Sequence, residues 1–441
     1  MYPPFATLAE WLAWQESHHP SAIDLGLDRV RTVAERLGVL QPKAQVITIA
    51  GTNGKGSCVA ALEALLAASH QRFGAYTSPH FLHYNERIRL QGEAVGDALL
   101  IDAFERIYHA CEGISLTYFE YGTLAAMVIF NDRTLDFWVL EVGLGGRLDA
   151  VNIIAPDVAV ITSIAIDHEA WLGNNREDIG REKAGICRAG KPLICSDPNP
   201  PVSVIEHAKN LHCPSLWLGQ DFKLLDDFGF SPSPALRQTL ALGEHDTLDL
   251  AQIVLPRPSV VAALEVCALL NVLPPAESLP ALLADIRLMG RMQIVQHGAQ
   301  MVILDVAHNP AASTLLAQLL RERGLHKIIA VVAMMADKDL EGALQPLVPL
   351  VQQWHCVELE GNSRAAKSRY LAQLLTQRLQ VPAAQVVAGQ TVANTLTPLA
   401  ITAMPGVLPV VVFGSFFTVT EALGVVATPA VDSVNSRKNR H

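Results

Sequence analysis

Short apolar runs alternate with helix-like segments along the first half of the chain. Each run is four to eight residues long, which is typical of a buried strand. The strands predicted in this half are residues 46–49, 73–76, 135–142 and 158–164. The helices predicted around them are residues 8–17, 28–37, 59–66 and 97–111, a helix opening after Leu116, and a helix carrying residues 181–185. Strict alternation of this kind predicts an α/β domain with a mostly parallel sheet.

The pattern weakens after residue 198 and then begins again. Proline clusters between residues 198 and 249 indicate loops and short strands, and a helix is predicted at residues 260–270. A further helix is expected to end near residues 289–290, where the domain boundary is placed. The charged segment 85–89 is predicted to be a loop over the site.

The second half repeats the strand and helix alternation. Strands are predicted at residues 301–306, 328–333, 356–359, 385–387 and 409–413, and Pro310 suits the first turn of a helix. This predicts a smaller Rossmann-like α/β domain without the dinucleotide glycine fingerprint. The predicted domains are residues 1–289 and 290–428, followed by a flexible tail at residues 429–441.

Composition narrows the function classes. The chain has 441 residues, a formal net charge of −10 and seven cysteines without a C-x-x-C pair. Its one basic block is at residues 437–440, so nucleic-acid binding is not expected. No apolar run approaches the ~20 residues of a membrane span, and no secretory signal is visible. A cytoplasmic protein that acts on small molecules is expected.

A glycine-rich segment follows the first predicted strand and precedes a helix. It reads Ala50-Gly51-Thr52-Asn53-Gly54-Lys55-Gly56-Ser57. Its backbone N–H groups, the Lys55 charge and the helix N-terminus favour phosphate binding, and the Ser57 hydroxyl suits a nucleotide-bound Mg²⁺. The spacing differs from the usual phosphate loop because Gly56 separates the lysine from the hydroxyl. The alternative is a glycine-rich turn with a solvated lysine.

Polar residues at three other strand ends complete a candidate metal site. Ser78, Glu141 and His168 each follow a predicted strand, and the carboxyl edge of a parallel sheet is where ligands bind. Hydroxyl, carboxylate and imidazole groups suit a Mg²⁺ shared with phosphate oxygens and water. Taken singly, each residue is also compatible with an ordinary hydrogen-bonded position.

Two further residues have competing interpretations. Lys183 is either the surface ion-pair partner of its neighbour Glu182 or, near a second metal, a carbamate-bearing ligand. His308, close to Asp305, either binds transferring phosphate or is a capping or core histidine. Together the parts predict phosphoryl transfer to a carboxylate, followed by attack of an amine on the acyl phosphate.

Six separated motifs resemble one family. They are residues 51–57, 118–122, 141–149, 180–185, 290–291 and 305–310. In this order they are similar to the folylpolyglutamate synthase family of the Mur ligase superfamily, and within it to the bacterial bifunctional dihydrofolate and folylpolyglutamate synthases. The resemblance extends from about residue 8 to about residue 426.

The resemblance implies ATP-dependent addition of L-glutamate to dihydropteroate and to reduced folates. It implies ATP contacts from Asn53, Gly54, Lys55, Gly56, Ser57, Ser259, Arg291 and Asp305. It implies pterin contacts from Asp24, Leu25, Gly26, Leu27, Thr117, Tyr118, Phe119, Glu120, Leu148, Asp149 and Ala150. It implies catalytic roles for Lys55, Lys183 and His308, with Mg²⁺ at Ser78, Glu141 and His168, two Mg²⁺ sites in all, and carbamylation of Lys183. Ser259 and Phe417 depart from the family pattern, where an asparagine and a histidine are usual.

Other assignments stay open at this point. They are a monofunctional folylpolyglutamate synthase, another Mur-type amino acid ligase, and a nucleotide-binding switch or transport ATPase. A peptidoglycan-type ligase would need a substrate domain before Gly51, where only 50 residues precede. A switch or transport ATPase predicts neither a second α/β domain nor a pterin-binding loop. A monomer is expected.

Overall fold

The structure is a computed structural model that describes residues 3–21, 23–226, 228–402 and 408–427, and the side chains of residues 400–402 are left aside. The chain divides into two compact units, Met1–Ile286 and Arg287–His441. The sequence placed this boundary at residue 290. The tail predicted at residues 429–441 lies outside the described residues.

The first unit is built on an eight-stranded sheet. Its strands are β1 Gln45–Ala50, β2 Phe73–Tyr76, β3 Ile88–Leu90, β4 Glu93–Ala94, β5 Phe137–Glu141, β6 Val158–Ile161, β7 Leu193–Cys195 and β8 Ser215–Trp217. The order across the sheet is β4-β3-β2-β5-β1-β6-β7-β8. Neighbouring strands from β2 to β8 run parallel, and β3 and β4 add an antiparallel edge. The predicted mostly parallel sheet is confirmed.

The strand order reverses direction beside β1, which makes this position the topological switch point of the sheet. The chain leaves β1 for β2 on one side, and later leaves β5 for β6 on the other side of β1. Ile49 pairs with Glu141 of β5 and with Val160 of β6, so the loops that follow these strands open at the same edge. Ligands of open α/β sheets bind in such a crevice.

Helices cover this sheet. In the first unit they are α1 Leu8–His18, α2 Asp28–Leu37, α3 Lys55–Ala68, α4 Asp97–Cys111, α5 Tyr118–Asn131, α6 Glu169–Leu172, α7 Arg176–Ala184, α8 Val202–Asn210, α9 Pro234–Thr239, α10 Arg257–Leu269 and α11 Leu279–Asp285. Capping explains several of their limits: Thr7 and Thr117 form capping boxes at α1 and α5, and Gly38 ends α2 in the left-handed conformation at φ +69°.

An aromatic cluster packs α1 against α4 and α5. The Trp11 ring lies 6.0 Å from the Phe104 ring, and Trp14 lies 5.7 Å from Tyr121. The Trp11 indole N–H donates a 3.1 Å hydrogen bond to the carbonyl of Phe5, so its one polar group is satisfied in the core. Rings packed at these distances fix the orientation of α1.

The second unit contains a six-stranded sheet with helices. Its strands are β12 Gln293–His297, β13 Gln300–Leu304, β14 Ile328–Val332, β15 Val351–Glu358, β16 Val386–Thr391 and β17 Val410–Phe413. Its α-helices are α12 Pro310–Glu322, α13 Leu340–Leu344, α14 Ser368–Gln373, α15 Val392–Thr402 and α16 Phe416–Ala427. The order is β12-β13-β17-β14-β15-β16, and only β12 pairs antiparallel with its neighbour. The predicted Rossmann-like second domain matches this arrangement.

Several local predictions were wrong. The segment predicted as a loop at residues 85–89 forms a short 3₁₀ helix, Tyr84–Arg87, and then joins the sheet as β3. The helix expected to end near residue 290 already ends at Asp285. Strand β12 was missed because its side chains alternate between exposed and part-buried positions at a sheet edge. By contrast, short strands were predicted between residues 198 and 249, and the small sheet of β9 Lys223–Leu224, β10 Gly229–Ser231 and β11 Leu248–Asp249 lies there.

None of the helices within the described residues combines the length and the apolar composition that crossing a membrane would need.

Candidate active site

The glycine-rich segment forms a loop between β1 and α3, and α3 begins at Lys55. Thr52 N–H donates to the Ser163 carbonyl at 2.7 Å, and Asn53 N–H donates to Ser163 Oγ at 3.0 Å. Thr162 Oγ1 donates to the Asn53 carbonyl at 2.7 Å. These bonds fasten the loop to the segment that follows β6.

Close packing explains why glycine is needed at Gly51 and Gly54. A Cβ atom on Gly51 would overlap Thr162 Oγ1, and one on Gly54 would overlap Ser259 Oγ. Gly54 also has φ +85°, a conformation that favours glycine. Ser259, which departs from the family pattern, is therefore buried directly against the loop.

The loop presents unfilled polar groups of the kind that a nucleotide requires. The Ser57 hydroxyl is buried and has no hydrogen-bond partner among the residues that the structure describes. Lys55 Nζ donates to the Gly51 carbonyl at 3.0 Å, which keeps the ammonium over the loop. A buried hydroxyl without a partner costs free energy, so this position suits an oxygen or metal ligand supplied from outside.

The three predicted metal-site residues come together in part. Glu141 ends β5 with its carboxylate buried, and its Oε2 accepts a hydrogen bond from Ser78 N–H at 3.3 Å. His168 caps α6 in a left-handed conformation, φ 54°, and lines the same cavity as Ser78. Within the described ranges no group of three or more His, Cys, Asp or Glu side chains could hold a metal alone. The donors present, a hydroxyl, a carboxylate and an imidazole, are ligand types that Mg²⁺ accepts together with phosphate oxygens and water.

Lys183 is buried among charges, so the surface ion-pair interpretation was wrong. Its side chain is on α7 with an exposed fraction of 3%. Burial, followed by the Lys55 charge, lowers the pKa of Lys183 to about 7 against the opposing effects of Asp167 and Asp149. Glu182 instead pairs with Arg147 at 2.8 Å. Near neutral pH a substantial fraction of this buried amine is therefore uncharged.

Asp149 organises the loop that follows β5. Its Oδ2 accepts hydrogen bonds from Gly143 N–H at 3.0 Å and Leu144 N–H at 2.9 Å, and its Oδ1 accepts one from Val151 N–H. Burial raises the pKa of Asp149 to about 6, although these bonds and the Lys55 charge act in the other direction.

A cavity of about 450 Å³ opens beside these groups. Almost all segments predicted to contact pterin line it, and so do two of the predicted metal ligands. The predicted residues in its lining are Asp24, Leu25, Gly26, Thr117, Tyr118, Phe119, Glu120, Leu148, Asp149, Ala150, Ser78 and His168. Leu27 is the exception, since it packs against the hydrophobic core.

Sequence reasoning missed a charged network at the rim of the cavity. Arg29 pairs with Asp24 at 2.8 Å and with Glu120 at 3.1 Å, and the ring of His19 contacts Asp24 at 3.3 Å. The Thr117 N–H also donates to Glu120 at 2.7 Å. His19 directly follows α1 and Arg29 lies on α2, both distant in sequence from residues 117–120, so no contiguous motif indicated them.

Other lining residues were also missed. They include Gln15, Glu16, Arg87, Gly143 and Leu144. The Arg87 guanidinium lies 5.3 Å from the Tyr84 ring centre and 5.4 Å from that of Tyr118, which fixes one aromatic wall by cation–π contact.

The predicted residues of the second unit lie close together after β13. Asp305 is buried and accepts hydrogen bonds from Met292 N–H and Ala307 N–H, both at 2.9 Å. Burial raises the pKa of Asp305, and Arg291 opposes that shift. His308 Nδ1 lies 2.8 Å from the Val306 carbonyl, and Arg291 lies 5.3 Å from the Phe416 ring. Phe417 is exposed.

Comparison with known proteins finds sequences that are similar to this chain. Residues 290–416 match the family described as Mur ligase, glutamate ligase domain. The chain is 42% identical over 374 residues to the dihydrofolate synthase/folylpolyglutamate synthase of Escherichia coli K12, covering 83% of this chain and 85% of that protein.

Solved structures give the same result. A structure of E. coli FolC in complex with DHPP and ADP has a TM-score of 0.85 and 39% identity, and covers 96% of this chain and 98% of the other. The Yersinia pestis bifunctional folylpolyglutamate synthase/dihydrofolate synthase complexed with AMPPNP and Mn ion has a TM-score of 0.86 and 38% identity. That alignment covers 97% of this chain and 100% of the other.

Proposed function

The chain belongs to the dihydrofolate synthase/folylpolyglutamate synthase family, and we propose on that basis that it is an ATP-dependent ligase. It joins L-glutamate to dihydropteroate, which forms dihydrofolate, and to reduced folates, which forms folylpolyglutamates. The observation that carries this proposal is the 450 Å³ cavity, where the predicted pterin segments, Ser78 and His168 line one space.

ATP is held at its phosphates by the loop between β1 and α3. Gly54 and Gly56 offer backbone N–H groups, Lys55 supplies a full positive charge, and the N-terminus of α3 adds partial positive charge. Asn53 is proposed as a further ATP contact, although its own N–H is bonded to Ser163 Oγ. Ser259 supports this loop from α10 by its contact with Gly54.

The reaction proceeds in two steps. An oxygen of the acceptor carboxylate attacks the γ-phosphorus of ATP, so a C–O–P bond forms and ADP leaves. The neutral amine of glutamate then attacks the acyl carbon, an amide bond forms, and inorganic phosphate leaves with the C–O bond electrons while the amine loses a proton. The protein positions the reactants and neutralises the charge that builds up on phosphate oxygens.

A divalent metal fits the donor set. Ser78, Glu141 and His168 would hold one Mg²⁺, and the unpartnered Ser57 hydroxyl suits a nucleotide-bound ion. When bound, Mg²⁺ supplies positive charge to the phosphate oxygens. The number of Mg²⁺ sites is proposed as two.

The second metal site depends on Lys183. We infer that its neutral amine takes up CO₂ as a carbamate, because the buried side chain lies in the field of Lys55 and its pKa is near 7. The Lys183 nitrogen forms a bond to the carbon of CO₂ and loses a proton to solvent, so an uncharged amine becomes an anionic oxygen ligand, which hard cations prefer. The anion is also attracted to the Lys55 charge.

The proposed contributions of the second unit follow the family motifs. Arg291 and Asp305 are proposed as ATP contacts and His308 as a ligand of transferring phosphate. We propose that the protein is a cytoplasmic monomer. Its seven free cysteines are compatible with a reducing compartment.

The test is phosphate release by the purified protein. Release from ATP that requires both L-glutamate and dihydropteroate, and separately L-glutamate and a reduced folate, supports the full proposal. Release only with the reduced folate reduces the function to folylpolyglutamate synthase. Acceptor-independent turnover would overturn it in favour of a nucleotide-binding switch. Lys55→Ala, which removes the loop charge, serves as the folded and inactive control.

A further inference from the structure

Gln15 on α1 is a buried amide without a partner. Its exposed fraction is 1%, and neither Oε1 nor Nε2 has a hydrogen-bond partner within the part of the chain that the structure describes. Its side chain lines the 450 Å³ cavity. Buried amides in native proteins are nearly always hydrogen-bonded, so this side chain needs a donor and an acceptor from a bound molecule.

The helix holds this amide firmly in place. Trp11, one turn before Gln15, packs against Phe104 at a ring distance of 6.0 Å, and the adjacent Trp14 packs against Tyr121 at 5.7 Å. A helix fixed by this aromatic packing against α4 and α5 offers the side chain few alternative positions. The orphaned donor and acceptor are therefore presented to the cavity in a defined place.

The proposed reaction sets the direction of the acceptor molecule. Its carboxylate must meet the phosphate of ATP, so that end lies at the wall formed by Ser78 and His168. A different part of the fold contributes another wall, with Gln15 and Glu16 on α1 and His19 directly after it. The head group, at the other end of the acceptor, is consequently the part available to α1.

We propose that the Gln15 carboxamide pairs with the lactam edge of the pterin head group, an inference that rests on the proposed function. A primary amide presents a donor and an acceptor side by side in one plane. The pterin N3–H and 4-oxo group present the complementary pair. Gln15 Oε1 accepts from N3–H and Nε2 donates to the 4-oxo oxygen, so Gln15 is a specificity residue for the acceptor.

The first test is Gln15→Met, which keeps the length of the side chain and removes both polar atoms. KM for dihydropteroate should rise on the order of tenfold, because a paired donor and acceptor are lost. KM for ATP and for glutamate should stay within about twofold. The melting temperature should be unchanged or higher, because the ligand-free protein no longer buries an unpaired amide.

The matched control is Ser17→Ala on the same helix. The Ser17 hydroxyl is exposed and donates only to α1 carbonyls, those of Ala13 and Trp14. The Ser17→Ala variant should leave the KM for dihydropteroate, ATP and glutamate unchanged.

A 4-deoxo analogue of dihydropteroate isolates the contact. The wild-type protein should bind it on the order of tenfold more weakly than dihydropteroate, whereas Gln15→Met should bind the two equally. An unchanged KM for dihydropteroate in Gln15→Met, or an equal loss with the analogue in both proteins, would overturn the inference. Wild-type protein without acceptor-dependent phosphate release would instead overturn the proposed function.

Discussion

At the scale of single residues, Lys183 links burial to chemistry. Lys183→Ala and Lys183→Arg should each lose most ligase activity, roughly 100-fold or more, because alanine has no amine and arginine keeps its charge and cannot form a carbamate. Lys183→Glu should recover a small part of the rate, since it supplies an anionic oxygen. The measurement is initial phosphate release at saturating substrates, with folding checked by circular dichroism.

Lys191→Arg is the matched control for that series. Lys191 forms an exposed 2.9 Å ion pair with Asp157, which arginine can replace, and surface pairs contribute about 0–1 kcal/mol. Lys191→Arg should therefore leave the rate of phosphate release and the melting temperature unchanged. A fully active Lys183→Arg protein would contradict the carbamate proposal.

The pH dependence follows from the same residue. Because the pKa of Lys183 is lowered from 10.5 to about 7, the amine is mostly neutral above pH 7 and protonated below it. Only the neutral amine reacts with CO₂, so kcat should fall as the pH drops through about 7. Added bicarbonate should restore part of the rate near that pH. A kcat that is constant from pH 6 to 8 and unaffected by bicarbonate would contradict the carbamate proposal.

At the scale of elements, the phosphate loop depends on one glycine that contacts α10. Gly54→Ala should raise KM for ATP by roughly 100-fold, because the added methyl group meets Ser259 Oγ and the residue must also keep φ +85°. The double variant Gly54→Ala/Ser259→Ala should recover the steric part of the loss. Steady-state kinetics with varied ATP measures both.

Gly190→Ala separates the two causes. Gly190 also has a positive φ, +69°, and nothing lies within 4 Å of its Cβ position. The Gly190→Ala variant should lower the free energy of unfolding by about 1 kcal/mol and leave KM for ATP unchanged. An equal effect of both substitutions on KM would show that contact with Ser259 is unimportant.

At the scale of the whole molecule, one chain is expected to serve two acceptors. Expressed in cells that lack dihydrofolate synthesis, the protein should restore growth, and cell extracts should contain folates with more than one glutamate. Gln15→Met should complement less well when dihydropteroate is scarce. Polyglutamylated folates without restored dihydrofolate synthesis would limit the protein to the second reaction.

Local signals in the sequence were sufficient for much of this architecture. α2, α4 and β2 have the predicted limits, and α12 begins at Pro310 as predicted. β12 was not predicted, and β9–β11 were predicted only as short strands without limits, because short strands carry only a few alternating positions.

The candidate site was predictable where chemistry lies in a contiguous motif. The glycine-rich loop and residues 117–120 are such motifs. Gln15 and His19 reach the cavity, and Arg29 pairs with Glu120 in its wall, only because α1 and α2 fold onto α5. Burial of Lys183 was likewise invisible, since the polar sequence of α7 resembles a surface helix. Tertiary packing decides these positions.

The unpartnered hydroxyl of Ser57 and amide of Gln15 also make the folded state responsive to its ligands. A molecule that satisfies such groups binds the folded chain and not the unfolded one, so mass action adds stability as its concentration rises. At a free concentration one hundred times Kd the gain is about 2.7 kcal/mol. The supply of nucleotide and acceptor in the surroundings therefore sets how much of this protein survives unfolding and proteolysis.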